Sequence, residues 1–353
     1  MQSQGSPLAR ELCVVYVLLI VYATLHPITS WRDNGVSPAA WIERWPKFVT
    51  PFDIAFNLAA YVPLGLLMVW ALYPRLRGAA AVTITVVWGA LLSASLETLQ
   101  TYLPSRISSL ADLASNAAGT LVGAVIAAPF TVALLERGRL AQLGGYWVIT
   151  DASASRALVL AALWLFAQLF PEALLFGHGN FVAYLGIVSG YPFTPGEFAR
   201  VETAVSAASL FAAGAVLLSA LTPAAPRLLL LLLLVATACV VRTLSQIILF
   251  GPEYAWAWLT PGALRGIAAG GIALVATLAL TRPMRLALVM IAVTFATVVV
   301  NIAPVNPYYA STVQEFNPGR FLNFNGLTQL VSAAWPLLAL LFAVVALAGG
   351  ERR

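Results

Sequence analysis

The stretch SLETLQTYLPSRISSLADLASN, residues 95–116, concentrates side chains that could do chemistry. They are Glu97, Gln100, Arg106, Asp112 and Asn116. Carboxylates in such a group can bind or transfer a proton, and an arginine can hold a carboxylate or a phosphate through paired hydrogen bonds. Because the chain has only 14 acidic residues among 353, this stretch is the first candidate site.

Helical spacing places these side chains on two stripes. Ser93, Glu97 and Gln100 are separated by one turn each and so share one face of a helix. Asp112 and Asn116 share a face of the next helix in the same way. We therefore expect two polar stripes to face each other across the loop that carries the arginine.

An earlier segment repeats the second stripe. TPFDIAFNLA aligns without gaps with SLADLASNAA, which pairs Asp53 with Asp112 and Asn57 with Asn116. If both segments begin helices on the same side of a membrane, the two Asp-x-x-x-Asn pairs lie at similar depth. The sequence thus predicts a polar cluster at one end of a three-helix group.

A structural alternative applies to the two aspartates. Thr50-x-x-Asp53 and Ser109-x-x-Asp112 both resemble a capping box, in which side chains satisfy backbone donors of the first helical turn. Capping does not account for the asparagines one turn deeper. Nor does it account for Glu97, close to a helix C-terminus where the helix dipole disfavours an anion. A purely structural interhelical network remains open.

Composition determines the elements that position this cluster. The chain is 61% hydrophobic and 9% charged, with a mean hydropathy of +0.88, and its apolar runs reach the roughly 20 residues that span a bilayer. The predicted fold class is all-α, a polytopic transmembrane helical bundle of about ten spans. The predicted spans are 11–27, 53–73, 79–99, 110–135, 157–176, 202–221, 227–250, 261–281, 284–303 and 327–348.

Charge predicts the orientation of the bundle. Lys and Arg are more frequent in the set of alternate loops that includes both termini, so the positive-inside rule places both termini in the cytoplasm. The polar cluster is then extracytoplasmic, and the expected location is the bacterial inner membrane. Two cysteines in apolar runs and two distant histidines predict no disulfide, metal site or cofactor. No nucleic-acid-binding pattern occurs.

We expect three parts along the chain. Residues 1–139 form a four-helix transmembrane unit, 140–156 a cytoplasmic linker with a Gly-Gly break, and 157–353 a six-helix transmembrane unit. Two GxxxG patterns, one beginning at Gly119 and one at Gly266, predict close helix packing.

The second unit holds the secondary candidates. Arg242 and Gln246 lie one turn apart inside a predicted span, where Glu202, Glu197 or Glu253 could neutralise the arginine. An interhelical lock or a snorkelling side chain is the alternative for that arginine. The remaining secondary candidates are Arg265, at the start of the eighth predicted span, and Arg320, in the last predicted external loop.

Residues 50–128 resemble the VanZ-like family. The shared features are an Asp-x-x-x-Asn opening, a Pro-Leu-Gly turn at Pro63–Gly65, a Ser/Glu/Gln helix end, an arginine in the following loop, and a second Asp-x-x-x-Asn followed by glycines. Family members often carry His or Lys around the first aspartate, where Phe52 and Ala55 stand here. The resemblance implies an association with teicoplanin resistance. It also implies these functional residues: Asp53, Asn57, Glu97, Gln100, Arg106, Asp112 and Asn116.

Three hypotheses follow for the cluster. The first is binding or translocation of an anionic membrane lipid, for example one linked to polyprenyl phosphate, with Arg106 resting against Glu97 or Asp112. The second is a membrane-embedded hydrolase or transferase that uses these two carboxylates. The third is a structural or partner-binding envelope protein.

Overall fold

The computed structural model describes residues 5–29, 31–35, 37–42, 45, 50–137, 139–149, 151–182, 193–304, 306 and 322–350. Over these ranges the chain is helical, and its only β-type pairing is an isolated bridge between Val148 and Leu221. The chain divides into two compact units, Met1–Tyr146 and Trp147–Arg353.

Unit 1 contains four long helices. They are α1 (Pro7–Leu25), α2 (Pro51–Leu72), α3 (Gly78–Gln100) and α4 (Leu110–Val132). A π-helical turn, Ala133–Arg137, follows α4, and the short helix α5 (Arg139–Trp147) leads to the unit boundary. Because α2 and α4 begin where α1 and α3 end, one end of the unit collects two helix N-termini and two C-termini.

Unit 2 begins with a short helix. It comprises α6 (Ala152–Ala167), α7 (Pro195–Ser219), α8 (Arg227–Phe250), α9 (Pro261–Ala276), α10 (Arg282–Ile302) and α11 (Leu322–Gly350). Its core is built around α7, and the largest fully buried side chains of the chain include Trp164 and Trp335.

The transmembrane prediction is confirmed for a multi-pass helical protein. Among the described residues, nine helices are long and apolar enough to cross a membrane, and they coincide with nine of the predicted spans. The predicted span 157–176 differs, because α6 is shorter and ends at Ala167. Pro171 lacks the backbone N–H that a continuing helix needs, and helices usually end before a proline.

Glycines bring α2 and α4 into backbone contact. A Cβ at Gly119 would overlap the Leu58 carbonyl oxygen, and one at Gly123 would overlap that of Val62. In unit 2, a Cβ at Gly266 would overlap the side-chain Cβ atom of Ser206 in α7. The predictions of close packing at both GxxxG patterns are confirmed.

The expected Pro-Leu-Gly turn is wrong. Pro63 and Gly65 lie inside the continuous helix α2, and a Cβ at Gly65 would overlap the Thr120 carbonyl oxygen of α4. A transmembrane helix tolerates an internal proline because the neighbouring helix and local adjustments satisfy the backbone group that the proline leaves without a partner. The motif therefore serves helix contact, not chain reversal.

Replacing Gly123 by Ala tests this contact. The added methyl group must push α2 and α4 apart, so we expect the free energy of unfolding of unit 1 to fall by about 1–3 kcal/mol. Gly144→Ala is the matched control, since its Cβ would meet nothing within 4 Å and alanine favours the helix. Equal thermal stability of Gly123→Ala and wild type would contradict the close packing.

Candidate functional site

The primary candidates lie together at the end of unit 1 where α2 and α4 begin. We call this set the polar end. Its members are Asp53, Asn57, Ser93, Glu97, Gln100, Arg106, Asp112 and Asn116. Their hydrogen bonds run within α2, between helices, and from the α3–α4 loop to the end of α1.

Asp53 caps its own helix. Thr50 Oγ1 accepts the Asp53 backbone N–H at 3.1 Å, and Asp53 Oδ2 accepts the Thr50 backbone N–H at 3.2 Å. The Thr50 hydroxyl also donates to this carboxylate at 2.7 Å. Both arms of a capping box are thus present, on an exposed carboxylate. The structural alternative accounts for Asp53.

The N-terminus of α4 is capped differently from that of α2. The backbone N–H of Ser109, the N-cap residue, donates to Glu97 Oε2 of α3 at 2.8 Å. Ser109 Oγ accepts the backbone N–H of Ala111 at 3.1 Å. Glu97 is only 3% exposed, so α3 supplies the acceptor that Asp53 supplies within α2. The Asp112 carboxylate is therefore not needed for its own cap.

Asp112 instead joins two helices. Its Oδ1 accepts the side-chain amide of Asn57 at 2.8 Å, linking α4 to α2. One turn deeper, the Asn116 amide donates to Ser93 Oγ at 2.9 Å, linking α4 to α3. Asn116 is 7% exposed, and its Oδ1 is buried without a hydrogen-bond donor among the described residues. The site thus holds a buried acceptor that a ligand donor could satisfy.

Three carboxylates of the polar end act on one another. Glu97 and Asp112 are close enough to repel each other, and Asp53 adds to the repulsion at Asp112. The N-terminus of α4 offsets part of the cost at Glu97, because a helix dipole favours an anion there. The unfavourable effect of the α3 C-terminus on the Glu97 carboxylate is therefore offset by the favourable effect of the α4 N-terminus.

Arg106 faces the end of α1. Its Nη2 donates to the His26 carbonyl oxygen, and Gln100 Nε2 donates to the Thr24 carbonyl oxygen at 2.9 Å. The last carbonyl groups of a helix have no helical partner and carry partial negative charge, which attracts a cation. The structure thus gives Arg106 a backbone acceptor where the sequence predicted Glu97 or Asp112. Burial and the Arg106 charge both lower the pKa of His26.

Tyr61 belongs to this site and is absent from the sequence-based set. Its side chain is 4% exposed, interacts with Ser93, and lies near Glu97 and Asp112. The signal that could have found it is its spacing, since Tyr61 follows Asn57 by one helical turn.

The secondary candidates do not join the polar end. Arg242 and Gln246 are buried on α8 of unit 2. Arg265 is exposed on α9 and donates through Nε to the Pro261 carbonyl oxygen at 2.9 Å. Arg320 lies outside the described residues.

The acceptors of the polar end suit hydrogen-bond donors. Among the residues that the structure describes, no three His, Cys, Asp or Glu side chains come together as metal ligands would. Carboxylate and amide oxygens can instead bind hydroxyl or ammonium groups, and the Arg106 guanidinium at the end of α1 can contact an anion.

Comparison with known proteins identifies the region that carries this site. Residues 13–133 match the family model described as VanZ/LLP1. The N-terminal part of this chain is similar to the VanZ/LLP1 family. The VanZ-like region runs from within α1 to the end of α4 and includes every member of the polar end. No curated protein and no solved structure matches the chain.

A double-mutant cycle between Asn57→Ala and Asp112→Ala tests the α2–α4 link of the VanZ-like region. The two changes should be coupled by about 0.6 kcal/mol, and by at most about 1.7 kcal/mol, in unfolding free energy, which are the average and the maximum for interhelical hydrogen bonds in membranes. The control pair is Asn57 with Asp53, which lies one turn away on the same helix and caps it. Additive effects of Asn57→Ala and Asp112→Ala would contradict the link.

Replacing Arg106 by Ala tests where its charge acts. The pKa of His26 should rise, because a nearby cation no longer opposes its protonation. Histidine-labelled NMR can follow it, since the chain has two histidines and burial lowers the pKa of the other, His178, to about 3. The exposed Arg32→Ala is the control. An unchanged His26 pKa would mean that the Arg106 guanidinium does not lie near His26.

Proposed function

We propose that the VanZ-like region binds the head group of an anionic envelope lipid or lipid-linked cell-wall precursor at the polar end. The observation that carries the proposal is the Asp112 carboxylate, which the Glu97–Ser109 hydrogen bond releases from capping. A carboxylate kept half-buried at a membrane boundary without a capping role is costly, which favours a ligand as its purpose.

The chemistry of the head group follows from the acceptors and the cation. Asp112 and the Asn116 Oδ1 atom can accept hydroxyl or ammonium donors, while the Arg106 guanidinium can add a charge-assisted contact to a phosphate oxygen. A phosphate ester that carries hydroxyl groups combines both features. A polyprenyl-phosphate-linked sugar and a hydroxylated phospholipid both belong to this class.

The location of the ligand follows from the predicted topology. Both termini in the cytoplasm of a bacterium would put the polar end at the outer leaflet of the inner membrane, where cell-wall precursors are used. Binding or moving such a lipid there would alter the substrate that glycopeptides recognise and so lower glycopeptide susceptibility. Hydrolysis by Glu97 gains less support, because one of its oxygens already accepts the Ser109 amide.

Native mass spectrometry of protein extracted into lipid nanodiscs tests the proposal. We expect wild type to retain an anionic lipid and Asp112→Asn to lose at least about tenfold in retention, the effect of one charge-assisted hydrogen bond of about 1.4 kcal/mol. Asp53→Asn is the matched control, because it changes the same motif position at a cap and asparagine still caps.

The outcomes separate the hypotheses. Equal lipid retention by wild type and Asp112→Asn, with equal thermal stability, would overturn the proposal. Turnover of a lipid-linked substrate that Glu97→Gln abolishes would favour the hydrolase. Glycopeptide susceptibility of cells that produce each variant should follow the lipid retention of that variant.

A further inference from the structure

Unit 2 contains a buried stretch of non-helical backbone. Residues 168–181 follow α6 without forming a helix, and residues 174–179 are all buried. Peptide groups enclosed in an apolar bundle need protein partners, because each unsatisfied group costs several kcal/mol. The partners of this segment therefore indicate what the bundle is built to hold.

One face of α8 binds the first half of the segment. Arg242 Nη1 donates to the Phe170 carbonyl oxygen at 2.5 Å, and Nη2 donates to that of Glu172. Ser245, one turn further on, donates to the Leu169 carbonyl oxygen at 2.6 Å. Arg242 is 3% exposed, so a full positive charge is enclosed beside the segment.

Other helices bind the second half. Asn301 of α10 donates to the Gly179 carbonyl oxygen at 2.7 Å, and its Oδ1 accepts the Phe181 backbone N–H at 2.8 Å. His178 lies between Gln168 and Ser332 of α11, at 2.8 and 3.1 Å from its two ring nitrogens. The segment is thus fixed on two sides, and its side chains hold defined positions.

The positive charge of the enclosed Arg242 guanidinium acts on two carboxylates. Glu172 of the segment and Glu202 of α7 both feel the charge of Arg242, and Glu202 is 2% exposed. Arg265 of α9 also attracts Glu202, but water screens that exposed side chain. Among the described groups around Arg242, two ionised carboxylates would therefore leave an excess negative charge, which is costly. A proton bound to one of the carboxylates removes that excess.

The hydrogen bonds select which carboxylate takes the proton. Glu202 Oε2 accepts the Thr260 hydroxyl in a short bond and is also hydrogen-bonded by the Ala263 backbone N–H, which favours its ionised form. Glu172 Oε2 accepts the Asn180 amide at 3.4 Å, and the Ala173 backbone N–H is also hydrogen-bonded to the Glu172 carboxylate. Because the hydrogen bond from Asn180 is long, Glu172 is the carboxylate that is more easily protonated.

We propose that Glu172 is a proton-binding site of unit 2, separate from the polar end and built by the Arg242-bound segment. A proton from water adds to the Glu172 carboxylate and leaves again without other chemistry. Burial raises the pKa of Glu172 to about 7, although the Asn180 amide and the Arg242 charge oppose the shift. The site is thus half occupied close to neutral pH.

The described helices that border the segment place both charged and neutral side chains near Glu172. Arg242 comes from α8 and Glu202 from α7, while α10 and α11 present the neutral side chains of Asn301 and Ser332. Burial and the Arg242 charge lower the pKa of His178 to about 3. His178 is therefore neutral throughout the range in which Glu172 titrates.

Infrared spectroscopy of the full-length protein in lipid, followed from pH 5 to pH 9, tests the proposal. The wild-type minus Glu172→Gln difference should contain one carboxylic-acid carbonyl band that disappears with a midpoint near pH 7. The exposed Glu197→Gln, in the same unit, should keep the band. A wild-type minus Glu172→Gln difference spectrum without such a band would overturn the proposal.

A second variant keeps the test decisive if Glu172→Gln folds poorly. Asn180→Ala removes a hydrogen bond that favours the ionised carboxylate, so the midpoint should move to higher pH. An unchanged midpoint would show that another carboxyl group carries the band.

Thermal stability supplies an independent measurement. The pKa of Glu172 is raised above its unfolded value of about 4.3, so the folded state binds more protons between these values. Stability should therefore fall as the pH rises from about 4.3 to about 7 and level off above that. Glu172→Gln should lack this component, and an identical pH dependence of wild type and variant would contradict the site.

Discussion

The hydrogen bond from the Ser109 backbone N–H to Glu97 organises the polar end. The first amide groups of a membrane helix cannot rely on water, so each needs an acceptor from the protein. Glu97 of α3 reaches across the loop to the N-cap of α4 and meets this need. The loop also closes through the Ser108 hydroxyl, which donates to the Glu97 carbonyl oxygen at 2.7 Å. One buried carboxylate thus positions the start of α4.

That position decides the role of Asp112. With the cap supplied by α3, its carboxylate turns to Asn57 of α2, and the glycines of α4 bring the two helices into backbone contact. The same hydrogen bond therefore supports both the packing of α2 on α4 and the acceptor-rich site. A change at Glu97 should be felt at both, whereas a change at Asp53 acts outside α2 only through its charge at Asp112.

The local parts of this architecture could be predicted from the sequence. Apolar length gives the spanning helices, and helical spacing gives the polar stripes and the glycine contacts. The choice of hydrogen-bond partner could not be predicted, because Asp53 and Asp112 occupy identical motif positions and differ only through α3. Arg106 is a similar case, since the carbonyl groups at the end of α1 become its acceptors only after folding.

Both units must provide hydrogen-bond partners for backbone groups that no helix pairs, and they do so in different ways. Unit 1 satisfies helix ends with side chains from neighbouring helices. Unit 2 satisfies a non-helical segment in its interior, and α6 ends before Pro171 to admit it. The roles of Glu172 and His178 could not be predicted from the sequence, because neither residue belongs to a periodic pattern. Their environment comes from α8 and α11, which are distant in the sequence.

Solid-state NMR of the protein in lipid, with labelled Ser109 amide nitrogen and labelled side-chain carboxyl carbons, tests the central interaction most directly. The account predicts a through-space cross-peak between the Ser109 nitrogen and the Glu97 carboxyl carbon, which Glu97→Ala removes. A cross-peak from Ser109 to the Asp112 carboxyl carbon in its place would mean that α4 caps itself as α2 does. That result would contradict the release of Asp112 and the site built on it.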